Sequence, residues 1–130
     1  MNLDFFTVRR IRQIMDGYID AKVPASMRTS VQIAYEWQSD GLILSELRPA
    51  PATRGWQRTA FACLRCQSDG CWHVYARTNK QAAHDLPLWS AVPEAGGQRD
   101  FELQLQYVEE DPLELFWPDW QAHDEQEDYV

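Results

Sequence analysis

The sequence predicts a single α+β domain: an N-terminal helix, a four-stranded antiparallel sheet made of two hairpins, a C-terminal helix and an acidic tail. Three patterns carry this expectation. Phe5, Val8, Ile11, Met15, Tyr18 and Ile19 recur at three- and four-residue spacing, which gathers them on one helical face. Val31, Ile33, Tyr35 and Trp37 alternate with Gln32, Ala34 and Glu36, the period of a half-buried strand. Phe101, Leu105 and Val108 again follow helical spacing. A chain of 130 residues with 45% hydrophobic content has the length of one domain with one core. That domain is expected over residues 1–118, with 119–130 as a flexible acidic tail.

Each element has its own local logic. The first helix should run from Asp4 to about Asp20, with Asp4 or Thr7 capping its start. Val23-Pro24 should end it, because the residue before a proline is pushed out of helical geometry. Ser39-Asp40-Gly41 turns the strand beginning at Val31 into a second one, Leu42 to Arg48, and Pro49-Ala50-Pro51 is expected to interrupt pairing there. A loop over residues 50–55 leads through Trp56 to a third strand, Arg58 to Cys66. Gln67-Ser68-Asp69-Gly70 then turns the chain into a fourth, Cys71 to Arg77. Residues 78–100 carry Pro87, Pro93, Gly96 and Gly97 and read mainly as loop, with Leu86, Leu88, Trp89 and Val92 as anchors or as a short extra strand. The second helix covers Asp100 to about Glu110, and Asp111-Pro112 breaks it. Leu113, Leu115, Phe116 and Trp117 are expected to fold back on the core. Helices on one sheet face would bury Val8, Ile11, Met15, Phe101, Leu105 and Val108.

Charge is segregated along the chain. Residues 109–130 hold nine of the 20 acidic residues and no Lys or Arg, so they carry about −9 while residues 1–108 carry about +1. Such segments solubilise, contact basic partners, or compete for a nucleic-acid site. No stretch approaches the ~18 apolar residues of a spanning helix, and charges stand where an export signal needs an apolar run. Three cysteines confined to residues 63–71 do not make a disulfide framework, and a cytoplasmic location is expected.

Three groups of residues invite chemistry. Cys63, Cys66, Cys71 and His73 are four zinc-ligand types within a short span. In a hairpin, however, Cys66 should face Cys71 while Cys63 points to the opposite sheet face, so the four do not converge on one ion. No metal and no cofactor are expected. Glu46 and Arg48 lie two positions apart on the face of Leu42 and Leu44, and His73, Tyr75 and Arg77 share a face of the fourth strand. Brought together, they would supply a base, an acid and an anion clamp. The preferred reading of Glu46 and Arg48 is a structural ion pair. Arg9, Arg10 and Arg12 on the first helix, and Arg54, Arg58, Arg65 and Arg77 near Trp56 and Trp72, could serve single-stranded nucleic acid. The net charge of −8 opposes that unless the tail is displaced.

The opening helix followed by Val23-Pro24, the strand end Glu46-Leu47-Arg48-Pro49, the run Trp72-His73-Val74-Tyr75-Ala76-Arg77 and the ending Asp111-Pro112-Leu113-Glu114-Leu115-Phe116-Trp117 together resemble a family of short bacterial proteins, domain-of-unknown-function family 3024. The likeness covers nearly residues 4–118. The cysteines and the extension after Trp117 depart from the family pattern. The resemblance implies no activity, cofactor or catalytic residue. The functional expectation is a non-enzymatic cytoplasmic interaction module, holding a basic protein partner through Trp117, Trp120, Asp119, Asp124, Glu125, Glu127 and Asp128. The alternatives are a single-stranded nucleic-acid binder autoinhibited by its tail, and a small enzyme using Glu46 and Arg48.

Overall fold

A computed structural model describes residues 3–50, 52, 54–79, 82 and 85–117. Helix α1 (Phe5–Lys22) begins where the Asp4 carboxylate accepts the Thr7 backbone N–H at 2.8 Å, which satisfies one of the orphan donors of a helix start. It ends at Val23, in extended geometry before Pro24. The strands are β1 (Gln32–Trp37), β2 (Gly41–Ala50), β3 (Gly55–Cys66), β4 (Trp72–Arg77) and β5 (Trp89–Ala91), followed by α2 (Phe101–Glu110). Neighbours pair antiparallel in chain order, β1-β2-β3-β4-β5. The expected four-stranded sheet therefore has five strands, because Trp89–Ala91 adds along Tyr75–Arg77.

Two separate hairpins become one meander. Pro49 does not stop pairing: it lies opposite Trp56, and Ala50 lies opposite Gly55. The reason is orientation. Odd-numbered residues of β2 direct their backbone toward β1, whose last partner is Gln32 opposite Leu47. The N–H that proline lacks would point past the end of β1, so no ladder bond is lost. At the other end of β2, Gly41 is required by close approach, since a Cβ there would sit 2.0 Å from the Leu64 carbonyl oxygen.

A bulge decides which side chains of β3 enter the core. Leu44 lies opposite Ala62 but Ser45 opposite Ala60, so Phe61 is an extra residue and the alternation resets around it. Ala62, Leu64 and Cys66 then share the helix side of the sheet with Leu42, Leu44, Val74 and Trp72. The core joins these to Ile11, Met15, Phe61, Phe101, Leu105, Val108 and Phe116. Val8, expected in this set, is only half-buried. Gln104 is fully buried and donates to the Trp72 and Gly96 carbonyls at 2.9 and 2.8 Å, tying α2 to the sheet end.

The chain folds back after α2 as expected, through a device local patterns did not reveal. Asp111 adopts left-handed backbone, with φ of 44°. Its carboxylate accepts the N–H groups of Leu115, Phe116 and Trp117. This drives Phe116 into the core and lays Trp117 on Phe61, with ring centroids 4.9 Å apart. Leu113, expected to anchor with them, stays 46% exposed.

Candidate functional site

The sequence-derived acid/base group is not assembled. Glu46 faces the helices, since it is two residues beyond the buried Leu44 on a regular stretch of β2. His73, Tyr75 and Arg77 alternate with the core residues Trp72, Val74 and Ala76 and so point to the opposite face. Glu46 is 4% exposed and paired with Arg48, and burial pushes its carboxyl up against the opposing pull of that guanidinium. Its Oε2 accepts no hydrogen bond among the described residues. The principal clefts among those residues are lined by other side chains. Arg77 is buried for a structural purpose, donating to Asn79 and to the carbonyls of Ala60, Ala82 and Asp85. It ties Asn79, Ala82 and Asp85 to β3. Tyr75 is held by Gln67 and lies under the Arg65 guanidinium.

The cysteines are dispersed too. Cys63 lies opposite Tyr75, outside the helix-side core, and burial raises its thiol to about 11. Cys66 belongs to that core and lies opposite Trp72, which corrects the expected pairing with Cys71; Cys71 precedes β4 and its carbonyl accepts the Gln67 N–H. His73 contacts Asp69 at 3.0 Å. The N–H of Cys71, and then His73, hold the Asp69 carboxyl below its usual range. Among the described residues, no group of three or more Cys, His, Asp or Glu side chains is placed to hold a metal.

The aromatics thought suited to nucleic acid are likewise divided. Trp72 is buried on the helix side with its ring edge on Phe101. Trp56 is exposed on the other face with Arg58, Arg65 and Tyr75, a face against which neither helix packs. Trp117 is half-buried: Lys22 Nζ lies 4.1 Å from its ring and its indole N–H donates to the Val108 carbonyl. Trp120, Asp119, Asp124, Glu125, Glu127 and Asp128 lie outside the described residues.

What the fold builds, and no sequence motif announced, is a groove of about 680 Å³ between α1 and α2. The helices run in the same direction and are bridged at both ends. Arg10 reaches Glu102 at 3.0 Å and Asp100 at 3.8 Å; at the other end Glu109 receives the Tyr18 hydroxyl at 2.5 Å and Lys22 at 2.9 Å. Burial, then Glu109, push the Tyr18 hydroxyl far above its ordinary range, so it stays a donor. Between the bridges lie Ile14, Gly17, Leu103 and Leu105. Gly17 borders open space: a Cβ there would meet nothing within 4 Å.

A family profile described as Domain of unknown function (DUF3024) matches residues 3–118. The chain belongs to this DUF3024 family. The match takes in both helices and every strand, so the groove lies wholly within the DUF3024 domain. No curated protein and no solved structure gives a significant match. Among the described residues, no helix is long and apolar enough to cross a membrane.

Proposed function

We propose that this DUF3024 protein is a non-enzymatic, cytoplasmic interaction module whose α1–α2 groove receives an amphipathic, basic segment of a protein partner. The observation that carries this reading is the groove itself: an apolar floor of Ile14, Leu103 and Leu105, with open space at Gly17 and an edge of Asp100, Glu102 and Glu109. Leu103 is half exposed, and an apolar side chain presented beside such a cleft gains free energy when a partner covers it. The edge carboxylates are already paired with Arg10 and Lys22, so the preference for a cationic partner rests on the nine acidic residues of 109–130, which would speed its approach. In this reading the groove supplies affinity and the acidic end supplies association rate.

The test compares the full chain, Gly17→Phe and a deletion of residues 118–130 in a pull-down from the native cell, followed by kinetics with the purified partner. Gly17→Phe should leave the melting transition in place and abolish binding. The deletion should slow association and weaken its salt dependence while leaving dissociation alone. Retention of the same partner with unchanged rates by Gly17→Phe refutes the groove.

A second reading is favoured by one observation, the helix-free sheet face carrying Trp56, Arg58, Arg65 and Tyr75. Exposed aromatic and guanidinium groups on a sheet can stack unpaired bases. A labelled single-stranded oligonucleotide that binds the deletion variant but not the full chain would replace the groove reading with that one.

A further inference from the structure

The sheet ends on one side in β1, whose outer edge has the requirements for pairing with another strand. The Gln38 N–H donates to the Gly41 carbonyl at 2.7 Å, and Gln38 stands next in the register that pairs Trp37 with Leu42. Backbone direction alternates along a strand, so Gln32, Ala34 and Glu36 direct their N–H and C=O groups toward β2. Ile33, Tyr35 and Trp37 direct theirs outward. Among the described residues, no hydrogen bond meets those outward groups. Of the usual protections of an edge, β1 has no proline, no bulge and no lysine, and its one charged residue, Glu36, lies 3.8 Å from Arg58 of its own sheet.

We propose that β1 pairs with β1 of a second copy of this chain, antiparallel about a twofold axis at Tyr35, joining two five-stranded sheets into one. Self-pairing is favoured over an arbitrary strand because the sequence of β1 complements itself in this register. Each of the three outward residues finds a partner, Tyr35 opposite Tyr35 and Ile33 opposite Trp37, so all outward N–H and C=O groups are satisfied. Directly opposed residues share a face, so Ile33 meets Trp37 on the helix side and Ala34 meets Glu36 on the other. Moving the register two residues toward the turn would instead set Glu36 against Glu36 of the second copy, a like-charge pair. Helix α1 is tied to β1 at the same residue. The Tyr35 hydroxyl donates to Asp16 at 2.9 Å.

The test is sedimentation of the full chain over a concentration series, with hydrogen exchange read residue by residue. The full chain should dimerise, and the amides of Ile33, Tyr35 and Trp37 should gain protection with concentration. Those of Ala34 and Glu36 are protected by β2 throughout. Ala34→Glu places two like-charge pairs in the interface and should weaken dimerisation about tenfold, whereas Ala34→Lys places two opposite-charge pairs there and should tighten it several-fold. Position 34 is half-buried on the helix-free face, and unchanged protection at Glu36 shows that each variant keeps its sheet. A monomer at every concentration overturns the proposal, as does a dimer on which the two variants act in the same direction. Deleting residues 118–130 adds a further arm. If only the truncated chain dimerises, the chain's own end occupies the edge and the proposal fails.

Discussion

Removal of the Arg48 guanidinium tests the physical account of Glu46, a buried carboxylate on the helix side of the sheet. Glu46 is 4% exposed while Arg48 is 42% exposed, so the pair has a dry end and a wet end. Truncating Arg48→Ala leaves the dry end charged without its counter-ion. Breaking a fully buried pair costs about 3–5 kcal/mol, but solvent at the Arg48 end screens this one, and about 1–3 kcal/mol is expected near neutral pH. Glu46→Gln leaves a half-exposed guanidinium that water can solvate and should cost under about 1 kcal/mol.

The pH dependence gives the sharper test. Burial raises the Glu46 carboxyl, so the folded state holds its proton more tightly than the unfolded chain does. Stability from this group is then fully present below the unfolded value, near 4.3, and is lost as pH rises through the folded value. Arg48→Ala raises the folded value further and extends the loss to higher pH. Urea unfolding followed by tryptophan fluorescence should show the Arg48→Ala penalty large near pH 7 and shrinking toward pH 4. In the double variant Arg48→Ala should cost much less than it does alone. An Arg48→Ala penalty that is the same at both ends of this range, or a greater loss from Glu46→Gln, would refute the electrostatic account.

Three other outcomes follow from the geometry. Asp111→Ala removes the acceptor for three N–H groups and places a Cβ-bearing residue without local support at φ of 44°, and should cost about 1–3 kcal/mol in thermal or urea unfolding; Asp111→Asn should cost much less. Phe116→Ala empties a fully buried site and should cost about 3–5 kcal/mol, while deletion of residues 118–130 should leave the melting temperature nearly unchanged. The Cys63 thiol, buried and raised to about 11, should resist a thiol reagent at pH 8 until the protein unfolds. The half-buried Cys71 should react first, and mass spectrometry of the labelled peptides distinguishes the two.

Local patterns determined the elements that depend only on neighbouring residues. The 3.6-residue period placed α1 and α2 within a residue or two, and Asp4 and Asp100 cap them. The alternation from Val31 to Trp37 placed β1. These features were legible because helix faces, caps and strand faces repeat over distances shorter than one element. Only the tertiary structure decided the rest. The bulge at Phe61 resets which β3 residues face the helices, and nothing near Phe61 in the chain marks it, because a bulge exists only relative to the partner strand. Pro49 read as a stop, yet its missing N–H falls where β1 has already ended. Glu46 and Arg48 were paired correctly from their spacing, but whether His73 and Tyr75 joined them depended on the phase of β4 against β2. The groove was not visible at all. Ile14 and Gly17 stand on one helix and Leu103 and Leu105 on another, and a cleft between two helices is a property of how their axes lie, which no one-dimensional period encodes.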